Sequence, residues 1–377
     1  MTAPGRHVRV PYFSVVVTEA AVDITPWVSS VQVVEDDRLS DSTTIVVNDP
    51  RMIYADALME GCHVEIDLGY AEPDQHALML RATITRVEVT YPENGSPQIK
   101  IKGEDRSIEM GLAERRVKWQ GTTVNQIVKE IGDRYKFADV VASLKPDPEV
   151  TLENQDAKTD LAFLQDLAKR YTAKCFVELN EAEREVLYFI PDRRILRQNR
   201  ADVLNLRYRQ GPVSNLMSFS PQFDASDIDR VREVHTIDRG GQAVRTPPQP
   251  PVEVFIWPTA GDLDARANAA DLERIDALYR AGRAAREKLQ KELAKPKPVT
   301  GKTAVSQQQV DNEVGALESR RLGMSCAGAT IGSIWMRAKC TVTVSGVHER
   351  FAGDWYVSRV THTVDSNGYR TDFKAVR

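Results

Sequence analysis

The residues of this chain that could carry chemistry do not converge on a reaction. Thr300-Gly301-Lys302-Thr303 ends like a phosphate-binding loop. Such a loop needs a Gly five positions before the Gly-Lys pair and an unbroken row of backbone N–H groups around the phosphates. Pro296 stands at that position and removes a donor, and no apolar strand precedes it. The six histidines are scattered, with no His-Glu-x-x-His and no pair at i and i+4 to grip a metal. His362, flanked by Val360 and Val364, reads as a hydrogen-bonded core histidine. Glu35-Asp36-Asp37 reads as a solvated acidic turn. Glycoside cleavage needs two placed carboxylates, but 54 acidic side chains allow many pairs and spacing singles out none. There is no Gly-x-Ser-x-Gly elbow and no Cys-x-x-Cys. Gly328 and Gly332 make a Gly-x-x-x-Gly in a polar segment, read as local turn chemistry. No catalytic, cofactor-binding or metal-binding residue is assigned, and no cofactor is expected.

Composition narrows the class further. At roughly 150 residues per domain, 377 residues suggest two or three domains. A hydrophobic fraction of 42% with 28% charge is ordinary for a globular chain, and 21 Gly with 19 Pro excludes collagen and wholesale disorder. With 50 basic and 54 acidic side chains the net charge is −4, a poor counterion for phosphate, so sequence-specific nucleic-acid binding is not expected. No run of 18 apolar residues exists to make a membrane-spanning segment. The N-terminal apolar stretch is short and broken by Ser14, unlike the core of a signal peptide, so a cytoplasm is the expected compartment. Cys62, Cys175, Cys326 and Cys340 are too dispersed for a disulfide framework or a zinc site.

The elements follow from periodicity. Over residues 1–105 Cys62, Val64, Ile66 and Leu68 alternate with polar residues, which predicts a half-buried strand. Residues 42–47 are β-branched and end at the turn Asn48-Asp49-Pro50; 84–91 and 98–102 make two more strands around Asn94-Gly95. Residues 106–210 read as a mixed α+β unit. Thr122 can cap a helix running to Tyr135, and Thr159 a second with Leu161, Phe163, Leu164, Leu167 and Ala168 inward. Strands at 175–179 and 185–190 flank the turn 180–183. Strand patterning returns at 215–238, followed by a linker with Gly240-Gly241 and Pro247 to Pro251. Residues 262–294 predict the longest helix, with an apolar stripe through Leu272, Ile275, Leu278, Gly282, Ala285 and Leu289. That stripe fits either a helix lying on its own domain or one facing a partner. Residues 295–312 read as a mobile loop, and the chain is β again from Ala338 to its end.

One internal echo stands out. Residues 84–95, ITRVEVTYPENG, align without gaps with 357–368, VSRVTHTVDSNG, at an offset of 273. Arg86, Val87, Thr90, Asn94 and Gly95 match Arg359, Val360, Thr363, Asn367 and Gly368. An alternating strand ending in Gly lies upstream of each, at 63–69 and 340–346. Convergent hairpin chemistry is one account; two related antiparallel β units, the second split by the insert after residue 240, is the other.

Three segments then resemble a known family. Thr159 to Tyr171 followed by a strand, Gly353 to His362 with Asn367-Gly368-Tyr369-Arg370-Thr371 and a terminal Arg377, and Gly61 to Tyr70 are together similar to late-control-D-type tail proteins of contractile bacteriophages. That family is the baseplate hub, related to the T4-like hub and to the N-terminal part of type VI secretion spikes. The resemblance implies an α+β, β-rich fold with two related small antiparallel β-barrels and a mixed α+β middle domain, to which the chain's own periodicity adds a long helical insert. The implied division is 1–105 for the first barrel, 106–210 for the middle domain, 211–240 with 326–377 for the second barrel, and 241–325 for insert and linker.

The resemblance also implies a structural, non-enzymatic homotrimer that adapts a sixfold tail tube to a threefold spike in the virion tail baseplate, assembled in the host bacterial cytoplasm. Its expected partners are the tail tube or tube-initiator protein, a separate spike protein and baseplate wedge proteins. The spike is expected to be separate because no β-helical repeat follows the second barrel before Arg377, and no lysozyme insert is evident. Two other readings stand beside it: the hub of a headless contractile injection system or tailocin, and, from a different class, a cell-wall glycan hydrolase or glycan-binding module.

Overall fold

The computed structural model describes residues 9–55, 57–72, 75–145, 147–171, 173–191, 204–223 and 324–377, with short pieces between 232 and 298. Alternating side chains set the first strands: β1 (Pro11–Val17), β2 (Val22–Asp23), β3 (Val28–Asp36), β4 (Ser42–Asn48), β5 (His63–Tyr70), β6 (His76–Thr90) and β7 (Gln98–Glu104). Val64, Ile66 and Leu68 of β5 and Ile45 and Val47 of β4 point inward, as their period-2 spacing predicts, into a core shared with Val15, Val31 and Ile101.

A middle unit follows: α1 (Ser107–Gly111), β8 (Glu114–Thr123), α2 (Val124–Arg134), β9 (Asp139–Ala142), β10 (Glu149–Thr159), α3 (Asp160–Arg170), β11 (Ala173–Leu179) and β12 (Glu185–Pro191). Val124, Ile127, Val128 and Ile131 of α2 face Phe163, Leu164 and Leu167 of α3 in a separate core. The cap of α2 is Thr123, one residue after the Thr122 expected; its hydroxyl accepts the Gln126 N–H at 3.3 Å. Thr159 caps α3 as expected, accepting the Ala162 N–H at 3.2 Å. Burial opposes ionisation of Asp160, yet hydrogen bonds from Gln155, Arg134 and Tyr135 outweigh it and hold its carboxyl below the usual range.

The remaining strands are β13 (Leu204–Arg207), β14 (Leu216–Phe223), the short β15 (Arg232–Glu233), β16 (His235–Ile237), β17 (Ala243–Arg245) and β18 (Lys297–Pro298), then β19 (Met324–Ile331), β20 (Cys340–Ser345), β21 (Gly353–Asp365) and β22 (Gly368–Val376). The described residues of the expected helix at 262–294, which fall between Arg274 and Lys288, are helical and exposed. The rest of that segment, Thr300–Thr303 and most of 295–312 lie outside the described residues.

The strands at the two ends of the chain repeat one topology. The first set pairs in the order β3-β4-β7-β6-β5-β1 and the second in the order β14-β19-β22-β21-β20-β13. Matched term by term, both sets use their strands in the same chain order. The match extends to irregularities. The β6–β7 ladder skips a residue between Ile84 and Arg86, and β21–β22 does so between Val357 and Arg359, the same place at the offset of 273. The β3–β4 ladder skips between Val28 and Ser30, and β14–β19 between Leu216 and Ser218. Bulges are placed features of a sheet, and two shared bulges favour related modules over convergent hairpins. The sets differ at one edge: β1 runs antiparallel to β5, whereas β13 runs parallel to β20. The upstream glycines also fall out of step. Gly61 N–H donates to Ile84 C=O just as Lys339 N–H donates to Val357 C=O, so Cys62 matches Cys340 and Gly69 does not match Gly346.

Gly328 and Gly332 are not turn residues that happen to be small. A Cβ on Gly328 would sit 2.4 Å from the Phe373 ring, and one on Gly332 2.1 Å from the Tyr369 ring. Both glycines let an aromatic ring lie flat on the backbone. Gly332→Ala is therefore expected to cost about 1–3 kcal/mol, as overpacking of a filled core does. Urea denaturation checks this, with Gly282→Ala as a comparison at an exposed helical site where an added Cβ meets nothing within 4 Å.

Candidate functional site: the junction between the two modules

The site a structural chain offers is the place where its parts are fixed to one another. Here it is a strand. β21 is 13 residues long, more than twice β20. Its first half pairs with β20, from Val344↔Gly353 to Cys340↔Val357. Its second half would be left open, and β3 of the other module fills it, from Arg359↔Asp36 to Val364↔Val31. The Asp37 N–H continues the ladder to Ser358 C=O at 3.0 Å. The two sets thereby join in one 13-stranded sheet rather than standing as separate closed units.

The inward face of this seam is buried. Val31, Val33, Val360 and Val364 pack there beside His362. Nδ1 of His362 lies 2.9 Å from the Tyr369 hydroxyl and 3.3 Å from that of Thr371. Burial first, and then the charge of Arg337, push its pKa down to about 3, so the ring is neutral. It is the hydrogen-bonded core histidine that its neighbours suggest.

The outer end of the seam carries a buried ionic cluster, and here the sequence reading is corrected. Glu35 and Asp37 are not in a solvated turn; both are buried. Glu35 pairs with the Arg337 guanidinium and accepts the Ala338 N–H at 3.0 Å. Arg337 also reaches Glu178 at 3.0 Å. Lys339 lies 3.2 Å from Glu178 and 3.5 Å from Asp41, with its ammonium over the Phe176 ring. Lys174 pairs with Asp37 at 2.7 Å and with the Tyr356 hydroxyl, which itself donates to Asp37 at 3.1 Å. The Asp41 N–H donates to Asp105 at 2.7 Å. Glu35, Asp37 and Asp41 belong to the first module, Lys174 and Glu178 to β11 of the middle unit, and Arg337, Lys339 and Tyr356 to the second module. All three parts of the chain meet in this cluster.

A signal for it existed. Glu35 continues the inward phase of Val31 and Val33 along β3, so alternation alone directs it to the core. The named carboxyls outnumber the named cations. Burial raises Asp105 to about 6 and raises Asp41 well above the carboxylate range, against the pull of Lys339. Among the described residues, no group of three or more His, Cys, Asp or Glu is placed to hold a metal ion. No described helix is long and apolar enough to cross a membrane.

The model of the phage tail baseplate hub family matches residues 37–368, starting inside this cluster and ending after β21. The chain belongs to that family. A tail protein from Neisseria meningitidis MC58 superposes on the hub with a TM-score of 0.64 at 12% identity, covering 98% of this chain and 97% of that one. The 43 kDa tail protein of prophage MuSo2 from Shewanella oneidensis gives 0.62 at 10%, covering 97% and 98%. An E. coli component of the type VI secretion system, described as structurally similar to T4 bacteriophage tail proteins gp27 and gp5, gives 0.54 at 13%, covering 93% and 73%. At such identities the likenesses establish the fold. No curated protein sequence matches the hub. Of the segments that first suggested the family, Gly61–Tyr70 forms β5 with the turn before it, Thr159–Tyr171 is α3 with its caps, and Gly353–His362 is the part of β21 shared between modules.

Arg337→Met strands Glu35 without its buried cation and is expected to cost about 3–5 kcal/mol in urea denaturation, while Glu35→Gln combined with Arg337→Met costs less than their sum. The acid pair gives a pH signature. Asp41 and Asp105 both titrate higher in the folded hub than in the unfolded chain; the stability Asp105 contributes at low pH is lost as pH rises from about 4 through about 6. His362 has the opposite sign: its contribution is full above about 6.5 and is lost as pH falls towards 3. The difference in unfolding free energy between the parent and Asp105→Asn, measured across pH 4 to 7, is therefore expected to move in favour of the variant as pH rises.

Proposed function

We propose that this hub works as a homotrimer that adapts a sixfold tail tube to a threefold spike in a contractile tail. The carrying observation is the repeated topology. One chain holds two six-strand sets with matching order and matching bulges. Three such chains around one axis present six related β modules on one side, while the rest of each chain is present three times. Tube subunits need six equivalent contacts and spike subunits three, and a duplicated module supplies both from one polypeptide. The division into a first β unit, a middle α+β domain at 106–210, a second β unit split by an insert, and the insert itself is part of this proposal. Its partners are the tube or tube-initiator protein, a spike protein and baseplate wedge proteins. Its place is the virion tail baseplate, assembled in the host bacterial cytoplasm. Its action is binding rather than catalysis, through extensive interfaces of the kind obligate oligomers use.

The likeness to a type VI secretion component supports a second setting, the hub of a headless injector or tailocin, with the same adaptor mechanism. Capsid and terminase genes beside this one would mark a virus; sheath and tube genes without them would mark the injector. Light scattering on the purified chain, alone and with its tube protein, is expected to give a three-copy species that caps tube ends. A monomer that binds neither tube nor spike would overturn the proposal.

A further inference from the structure

The junction has a second, unfilled version of itself. In the second module, β21 carries β3 along Arg359–Val364. Its counterpart β6 continues beyond the reach of β5, whose ladder ends at His63↔Thr83. From Arg86 to Thr90, β6 is hydrogen-bonded on its β7 side, and among the described residues its other edge has no strand. The counterpart of β3 is β14, which among the described residues pairs with β19 alone. Among the described residues of one chain, therefore, one acceptor edge and one donor strand of the same type are left over.

Their side chains fit the same pattern. At the filled seam His362 and Val364 are 0% and 2% exposed. The matching positions, Val89 on β6 and Tyr91 just after its end, are 38% and 64% exposed. Residues where the fold elsewhere places core are apolar here and left open to water. The cluster at the filled seam is replaced as well. Lys339 matches Gly61, so Arg337 matches Met59, which is 55% exposed. Glu35 matches Phe223 through the shared β3–β4 and β14–β19 registers. Where the seam inside the chain has the Arg337 cation, the open one has the exposed, apolar Met59.

Resting on the trimer reading above, we infer that β14 of one copy pairs antiparallel with β6 of the next. Carrying the register of the β3–β21 seam across places Val87 opposite Phe223, Glu88 opposite Gln222, Val89 opposite Pro221, Thr90 opposite Ser220 and Tyr91 opposite Phe219. The six modules then alternate between seams within a chain and seams between chains. Pro221 takes one hydrogen bond out of this seam, leaving Val89 C=O without a donor from β14. The Asp37 N–H to Ser358 C=O bond sets the parity of the β3 ladder, so Val33 directs its amide at β21 and its counterpart Pro221 would direct one outward. The open edge thus lacks one donor, which blunts non-specific pairing in the free chain. Recognition then depends on the apolar residues beside it.

The register gives a sharp test. Thr90 and Ser220 fall opposite each other as a non-hydrogen-bonded pair, by the parity that makes Thr363 and Gln32 one, and such pairs bring Cα atoms to about 4.5 Å, within disulfide range. The full chain carrying Thr90→Cys and Ser220→Cys, oxidised with copper phenanthroline and run without reductant, is expected to give two-chain and three-chain products from most of the protein. An equal mixture of the two single variants should give the two-chain product only. Glu88→Cys with Ser220→Cys, two residues out of register, should not crosslink beyond the parent's native cysteines. A three-copy species by light scattering that forms no crosslink, or crosslinks only in the shifted variant, overturns this seam and leaves the trimer reading standing. A chain that stays single by both measures, with tube protein present, overturns both.

Discussion

A β-strand longer than its neighbour leaves backbone groups that must find partners, and this constraint organises the whole molecule. β21 outruns β20 by seven residues. Its exposed N–H and C=O groups are satisfied by β3, which lies more than 300 residues earlier and belongs by topology to the other module. One strand therefore completes two six-strand sets at once. Because register in a ladder is set by alternate side chains, Val31 and Val33 can enter the core beside Val360 and Val364 in one alignment only. The relative placement of the modules follows from that alignment rather than from a linker.

The buried ions reinforce the same placement in a different way. Taking Arg337, Lys339, Lys174 and their carboxylates out of water is expensive, and apolar packing of equal volume could match the net stability. What the charges add is selectivity of arrangement. Glu178 needs Arg337 and Lys339, Asp37 needs Lys174 and Tyr356, and Glu35 needs Arg337. A docking of the middle unit that slipped by one residue would leave several of them unpaired at once. In the hub, this cluster ties the α+β unit to the point where the modules already join.

Local signals in the chain were read with fidelity where the physics is local. The alternation of Val64, Ile66 and Leu68, the caps near Thr122 and at Thr159, and the Asn180 turn depend on a few neighbouring residues. The echo between 84–95 and 357–368 is legible because a shared bulge keeps β6 and β21 in step, although the turns differ: Asp365 pairs with Gly368 across two residues, whereas β6 and β7 last pair at Thr90 and Gln98. Glu35 to Asp37 was misread because three acids in a row carry a strong average meaning, and that average hid the strand phase. Gly328 and Gly332 were misread because the rings that need them belong to β22 and its turn, some forty residues away.

The amino-acid order alone therefore determined which segments are strands, where helices begin to within a residue, that two distant parts of the chain echo each other, and the family they resemble. Periodicity, capping and repetition act over short spans and survive in one dimension. Which strand fills which edge, and which cation neutralises Glu35 or Glu178, was decided only by the folded chain. Edge pairing and charge burial are settled between residues more than three hundred positions apart, where the free energy depends on who is adjacent in space and on how much water has been excluded.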